Sequence, residues 1–211
     1  MSKQNGASAY FSIDVEADGP IPGPYSMLSI GAAFIGHQDD TDFYPVVDVA
    51  ADVFYRELRP ISDNFVPRAL EVSGLDRDHL LLHGADPAQT MSELTTRVKE
   101  VAAGHGAPVF IGYPAGYDWL FTYWYLINFT GDSVFGHSRM LDIKSYYAGH
   151  SGRPLAGISK RTMPRELRSG RKHTHRADDD AMEQGELGTN LIRQVRDRVA
   201  GARVARQEDP A

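Results

Sequence analysis

Hydrophobic runs in the first third of the chain have the short length and the β-branched and aromatic composition of strands. Three such runs cover residues 10–16, 27–36 and 53–58, and Gly, Pro and Asp residues separate them. Residues of these types fit the extended, half-buried surface of a β-sheet. The pattern therefore predicts three consecutive strands, arranged as a meander.

Helical spacing of apolar residues dominates the rest of the chain. It predicts helices over residues 86–104, 118–129 and 177–199, with short strands at 108–113 and 140–142, the second of which runs into a further helix. The helix over 118–129 is apolar on most sides and is expected to be well buried. This order of elements indicates an α/β domain built on a mixed β-sheet flanked by helices.

The composition fits one such domain. The chain has 211 residues, 42% of them hydrophobic, which predicts a single domain over residues 1–198, followed by a frayed or disordered tail at 199–211. The N-terminus lacks the basic and apolar regions of a signal peptide, and the longest apolar stretch is too short to span a bilayer. We therefore expect a soluble, cytoplasmic protein with no membrane partner.

Charge is unevenly distributed along the chain. The net charge is −6, but residues 159–176 hold seven Lys or Arg residues against one Glu, which leaves −12 on the remaining residues. Such a run is either a solvated loop or a patch that contacts phosphates, because clustered Lys and Arg residues are the usual mark of nucleic-acid binding.

Two acids stand at the end of the first predicted strand. Asp14 and Glu16 project from the same face, because residues i and i+2 of a strand do so, and two like charges so close repel unless a cation lies between them. They are either metal ligands or an exposed strand end that happens to be acidic. Because the chain has no cysteine, any metal must be held by oxygen or imidazole, which favours hard cations.

Further acids occur in contexts that suit the same site. Asp118 opens the apolar helix, where a carboxylate is either the N-cap or needs another partner. Asp180 lies early in the last predicted helix, five residues after His175. Together with the first two acids these carboxylates would suit Mg²⁺ or Mn²⁺, and a nearby imidazole supplies a base that titrates near neutral pH.

In their order and spacing, these motifs resemble those of the DEDDh branch of the RNase T and DnaQ-like 3′-5′ exonucleases, which have an RNase H-like fold. The resemblance spans roughly residues 9–195 and includes the stretch "MLDIKSYY", which is similar to the segment after the second motif of the family. Five residues match the family's motifs position by position: Asp14, Glu16, Asp118, His175 and Asp180.

The resemblance implies a metal-dependent 3′-5′ exonuclease that acts on nucleic acid with a free 3′ end, single-stranded RNA or DNA, and releases nucleoside monophosphates. It implies two Mg²⁺ or Mn²⁺ ions held by the four carboxylates, Asp14 bridging both, and His175 as the base that deprotonates the attacking water. The basic run leads into His175, so Lys160, Arg161 and Arg171 are candidates for contact with substrate phosphates. The choice between RNA and DNA, and whether the protein is a homodimer, stay open.

The chain departs from the family pattern in two places. The second motif is usually close to "HNAxFD", whereas this chain reads "GYPAGYD", with Tyr113 and Pro114 in place of the His and the Asn. A Pro- and Gly-rich insertion also separates the first two strands, where relatives contact the terminal nucleotide, so a substrate preference cannot be inherited. The related Tyr branch has its tyrosine at the position of Arg176, which favours the His branch.

Two other functions are compatible with parts of this pattern. A phosphatase of the haloacid dehalogenase type also begins with paired acids, but that family needs Asp-x-Asp followed by Thr or Val, and this chain has Glu16 and Ala17. A catalytically silent nucleic-acid-binding module on the same fold is the alternative from a different class, and the complete acid set argues against it.

The third motif can be placed in two registers, because His173 and Asp178 have the same spacing as the pair that begins with His175. Family members tend to carry alanine at two flanking positions, and only the His175 register supplies it, at positions 177 and 181. Small residues there would let the helix approach the sheet closely. We therefore predict the His175 register and assign no role to His173 or Asp178.

Overall fold

The structure, a computed structural model, describes residues 6–208 of the chain. Its centre is a six-stranded sheet in the order β3-β2-β1-β5-β6, with β4 also paired to β2. The strands are β1 (Ser8–Ala17), β2 (Met27–Gln38), β3 (Phe43–Pro45), β4 (Val53–Glu57), β5 (Ala107–Gly112) and β6 (Met140–Asp142). The strands β1 to β4 pair antiparallel, whereas β1 with β5 and β5 with β6 pair parallel. The predicted mixed sheet is therefore confirmed.

Six α-helices occur within the described residues 6–208. They are α1 (Pro67–Ser73), α2 (Arg77–His83), α3 (Pro87–Ala102), α4 (Ala115–Thr130), α5 (Ile143–Ser151) and α6 (Ala177–Glu208). Side chains of α3 and α4, such as Leu94 and Phe121, pack on one face around Phe11 of β1. Side chains of α5 and α6, such as Ile143 and Leu187, pack on the other. The core thus lies in two apolar layers on either side of the sheet.

Several elements differ from the sequence-based prediction. The short helices α1 and α2 and the three-residue strand β3 were not predicted, because α1 buries none of its residues and such short segments carry no clear hydrophobic period. Three single 3₁₀ turns also order the basic run and the segment before it, at residues 155–157, 160–162 and 165–167.

The helix boundaries also moved in two places. Helix α4 begins at Ala115, three residues before the predicted start, and α6 continues to Glu208 instead of ending near Val199. The predicted tail at 199–211 is therefore helical as far as Glu208, and residues 209–211 lie outside the described part. Within residues 6–208, no helix combines the length and the apolar composition that a membrane span requires.

Candidate active site

Three predicted acids meet where β1 reaches the beginning of α6. Asp14 and Glu16 lie two residues apart on β1, and each offers a carboxylate oxygen to a group that includes Asp180; the three oxygens lie within 4.8 Å of one another. Asp180 is 1% exposed, whereas the two strand residues are partly buried. The structure therefore brings together acids that are 166 residues apart in the sequence.

The close approach of α6 to the sheet places Asp180. A Cβ atom added to Gly31 of β2 would lie 2.2 Å from the carbonyl oxygen of Ala177, so only glycine fits at this position. One turn after Asp180, the buried Gln184 donates to the carbonyl of Ile13 at 2.8 Å and accepts from the amide of Tyr113 at 2.7 Å. These contacts attach the first turns of α6 to β1 and to the end of β5.

Asp118 reaches the same group from α4. Because α4 begins at Ala115 with Pro114 as its N-cap, the alternative in which Asp118 caps the helix is wrong. Its carboxylate, 7% exposed, instead accepts a hydrogen bond from the amide of Val15 at 3.2 Å, between the two acids of β1. The start of α4 is in turn held by Asp142, which accepts from the Ala115 amide at 2.7 Å.

Burial and the charges of neighbouring acids raise the pKa values of three of these carboxyls. Burial, then the charges of Asp118, Glu16 and Asp180, raise the pKa of Asp14 well above its ordinary value. Burial and the neighbouring acids likewise raise the pKa of Glu16 to about 8, and burial raises the pKa of Asp118 to about 7 although the Val15 amide opposes it. Clustered carboxyls of this kind resist joint ionisation unless positive charge joins them. Their all-oxygen donor set fits Mg²⁺ or Mn²⁺.

Both histidines of the third motif lie beside the acids. His175 Nδ1 is 3.9 Å from Glu16 Oε1, and His173 Nδ1 is 3.0 Å from Asp180 Oδ2. Asp180 also accepts from the backbone amides of Thr174 and His175, at 2.8 and 2.9 Å. The turn carries His175 at a φ of 58°, in the left-handed region that non-glycine residues rarely adopt and that is often found at functional sites.

The contact of His173 was not foreseen from the sequence. Spacing alone paired His173 with Asp178, but Asp178 instead forms an ion pair with Arg176 at 2.7 Å, and Arg176 lies over the ring of Tyr55. The turn around the Asp180 carboxylate brings a ring nitrogen of each histidine within 4.8 Å of a carboxylate oxygen of Asp180. No spacing rule in the sequence indicates this arrangement.

The three basic candidates occupy different surroundings. Lys160 forms an ion pair with Glu183 of α6, and its charge acts to lower the pKa of Asp14 and of Asp118, against the larger effect of burial. Arg161 is exposed, and its side chain forms no ion pair or hydrogen bond among the residues that the structure describes. Arg171 is held by Glu186 at 2.7 Å, with Asp48 at 3.8 Å. Among these three, the structure therefore brings only Lys160 to the acids.

A groove opens beside Glu16. It has a volume of about 480 Å³ and is lined mainly by apolar groups from the end of β1, from α1 and from Tyr117. The Tyr117 hydroxyl donates to the carbonyl of Gly19 at 2.8 Å. The segment after β1 is held by a buried pair, in which Arg77 Nε lies 3.0 Å from Asp18 Oδ2. This support was missed, because no local pattern links residues 59 positions apart.

Comparison with known proteins places this geometry in a family, although no family model matches the chain. The chain is 36% identical, over 178 residues, to the 3′-5′ DNA exonuclease Cap18 of Escherichia coli, and the match covers 84% of this chain and 88% of Cap18.

Solved structures with low sequence identity share the fold. The nuclease domain of 3′hExo, a DEDDh family member bound to rAMP, superposes with a TM-score of 0.63 at 10% identity, covering 92% of this chain and 95% of that domain. Exonuclease I of E. coli in complex with a dT13 oligonucleotide superposes with a TM-score of 0.59 at 12% identity, covering 97% of this chain but 44% of that protein. The chain therefore has the RNase H-like fold of these exonucleases, and its 36% identity to Cap18 shows that it belongs to the same family of 3′-5′ exonucleases.

Proposed function

We propose that this protein removes nucleotides from the 3′ end of single-stranded DNA, using the four clustered carboxylates as its metal-binding group. The observation that carries the proposal is the convergence of Asp14, Glu16 and Asp180 within 4.8 Å, with raised pKa values at Asp14 and Glu16. DNA is favoured over RNA because Cap18, at 36% identity, is a DNA exonuclease. The apolar groove beside Glu16 has a volume of about 480 Å³, within the range of ligand pockets, and we assign it to the terminal base and sugar.

Each site residue has a distinct task in this proposal. Asp14, Glu16, Asp118 and Asp180 would hold two divalent cations, Mg²⁺ or Mn²⁺. When bound, such cations supply the positive charge that activates a water and stabilises the leaving 3′-oxygen. His175, beside Glu16 and half exposed, accepts the proton of the attacking water. The water oxygen bonds to phosphorus, the bond between phosphorus and the 3′-oxygen breaks, and the departing 3′-oxygen takes up a proton from solvent. The products are a nucleoside monophosphate and a new 3′-hydroxyl.

A digestion panel tests this function directly. Single-stranded DNA, single-stranded RNA and duplex DNA, each labelled at the 5′ end, would be incubated with Mg²⁺, with Mn²⁺ and with excess EDTA. We expect a ladder of products shortened from the 3′ end of single-stranded DNA, slower digestion of the other substrates, and no product in EDTA.

Two further substrates separate the proposed polarity from its alternatives. A 3′-phosphate should block or slow digestion, because the site is proposed to accept a free 3′-hydroxyl. Cleavage of circular and linear single strands at equal rates would indicate an endonuclease. Tight DNA binding without any product, in either metal, would favour the silent binding module.

A further inference from the structure

A lysine lies among the acids, and the DEDDh motifs do not account for it. The Lys160 ammonium forms an ion pair with Glu183 and lies 5.4 Å from the centre of the Tyr113 ring. Its charge also acts on the carboxyls of Asp14 and Asp118. Lys160 is therefore a resident cation of the site.

The groups that hold Lys160 are built into the fold. Glu183 lies on α6, three residues after Asp180, and is 7% exposed, so α6 presents it toward the same side of the sheet. Tyr113 stands at the end of β5, where the second motif of the family usually has a histidine. A buried carboxylate and an aromatic face are both favourable partners for an ammonium group. The atypical second motif is thus part of the surroundings of Lys160.

The backbone around Lys160 is also ordered. Ser159 caps the 3₁₀ turn that contains the lysine: its side chain accepts from the Thr162 amide, and its own amide donates to the Thr162 hydroxyl at 2.9 Å. Ile158 and Met163, on either side, are each 3% exposed and belong to the apolar layer under α6. The lysine is held in place before any substrate arrives, which lowers the entropic cost of a contact.

We propose that Lys160 contacts the substrate and binds the phosphate of the 3′-terminal linkage, and that Glu183 and Tyr113 are positioning residues for its ammonium group. The inference rests on the proposed function. A phosphate that enters a group of four carboxylates is repelled by any of them that stays uncompensated. A lysine held one turn along α6 from Asp180, through its ion pair with Glu183, offers it a charge-assisted hydrogen bond. The lysine takes no part in bond making.

The test is a thermodynamic cycle on binding, so that its main readout does not depend on turnover, and steady-state kinetics are added for the Glu183 variant. Binding of an oligothymidylate labelled with fluorescein at the 5′ end would be measured by anisotropy, in Ca²⁺ and again in EDTA. The probe would carry either natural linkages, or an uncharged methylphosphonate at the last linkage, or the same group at a central linkage. The proteins would be the wild type, Lys160→Ala, Lys160→Arg and Glu183→Gln, with Lys99→Ala on the exposed side of α3 as the matched control.

We expect Lys160→Ala to weaken binding of the natural probe about 10- to 100-fold, the range for a hydrogen bond to a charged group. The methylphosphonate at the last linkage should cost the wild type a similar factor and cost Lys160→Ala little more. Lys160→Arg should recover most of the affinity. Glu183→Gln should raise KM more than it lowers kcat, because it loosens a contact made before and during the reaction. Lys99→Ala should bind like the wild type.

Two outcomes would overturn the proposal. Full affinity in Lys160→Ala would show that the lysine does not contact the substrate. The second outcome is that the affinity losses caused by Lys160→Ala and by the methylphosphonate at the last linkage multiply when the two changes are combined. The two changes would then be independent, and the lysine would contact another phosphate or none. If Lys160→Ala does not fold, as judged by its melting temperature, Lys160→Gln enters the same cycle. A wild type that binds but never shortens natural DNA would instead refute the proposed function.

Discussion

Two kinds of carboxylate lie within five residues of each other at the end of β1. The carboxylate of Asp18 is fully buried and has two partners. Arg77 Nε lies 3.0 Å from its Oδ2, and the Ser26 amide donates a hydrogen bond to its Oδ1 at 2.6 Å. Asp14 and Glu16 instead face other acids, which raise their pKa values in addition to burial. The strand thus ends in one compensated carboxylate and two that the fold leaves in mutual repulsion.

The contrast separates structure from function. A buried ion pair holds parts of a fold in register, and breaking it leaves an uncompensated charge. A group of like charges does nothing for stability, so its persistence indicates a ligand that brings the opposite charge. Substitution in the buried ion pair should lower stability. Substitution of a clustered acid should remove activity while stability is kept or improved. Four predictions test this division, from the largest expected effect to the smallest.

Removal of a clustered acid should have the largest effect. Asp14→Asn should lower turnover by about 10⁴-fold, the upper end of the range for losing a group that acts on the reacting atoms, because a proposed metal ligand is lost. In EDTA its melting temperature should equal or exceed that of the wild type, since one repelling charge is gone. Steady-state kinetics and thermal melting measure the two quantities. Asp40→Asn, in the exposed loop after β2, is the matched control and should change neither, whereas a large loss of stability in Asp14→Asn would contradict the division.

The two histidines should differ in the size of their effect. His175→Ala should lower turnover by about 10²- to 10⁴-fold, the usual range for losing a general base. His173→Ala should lower it by about 10- to 100-fold, the range for losing a group that holds a metal ligand, here through its 3.0 Å contact with Asp180.

Asp178→Asn provides the control for the register of the motif, because Asp178 is paired with Arg176 and away from the proposed chemistry. It should retain most of its turnover under the same steady-state conditions. If His173→Ala proved the more damaging of the two histidine variants, the base would be His173 and the register assigned from the sequence would be wrong.

Breaking the compensated pair should act on stability. Arg77→Ala should lower the free energy of unfolding by about 3–5 kcal/mol, because it leaves the Asp18 carboxylate buried without its partner. Denaturant titration measures this value. Arg56→Ala removes an ion pair with Glu93 in which both side chains are at least 36% exposed, and it should cost at most about 1 kcal/mol. Equal losses in the two variants would show that the buried pair has no special structural weight.

The acid cluster should also make stability depend on pH when no metal is bound. Folding raises the pKa of Glu16 from 4.5 to about 8 and that of Asp118 from 3.8 to about 7, so between these limits the folded state keeps protons that the unfolded chain has released. Stability must then fall as the pH rises from about 4 to about 8. Melting temperatures in EDTA should decrease over this range, and Mg²⁺ or Mn²⁺ should raise them most at the alkaline end. Asp14→Asn should flatten the profile; a profile that rises with pH would count against the cluster.

The parts of the site that are local in sequence could be predicted. The two-residue spacing of Asp14 and Glu16 puts them on one side of a strand, and the apolar spacing after Ala177 predicts the helix that carries Asp180. The mixed sheet also followed from such patterns, whereas the family came from the resemblance of the motifs to those of known exonucleases; both are confirmed. Local spacing has this power because backbone geometry alone decides which nearby residues share a face.

Contacts between distant segments were decided only by the tertiary structure. Nothing in the sequence links Arg77 to Asp18, Lys160 to Glu183, or His173 to Asp180, and Arg171, equal to Lys160 as a sequence candidate, turned out to be held by Glu186. Each of these pairs forms where turns and helix ends come together on the folded sheet, and a charged side chain of four or five bonds can reach several partners from one backbone position. Composition and spacing determine that charges are present, whereas packing determines which of them compensate one another and which are left for a metal and a substrate.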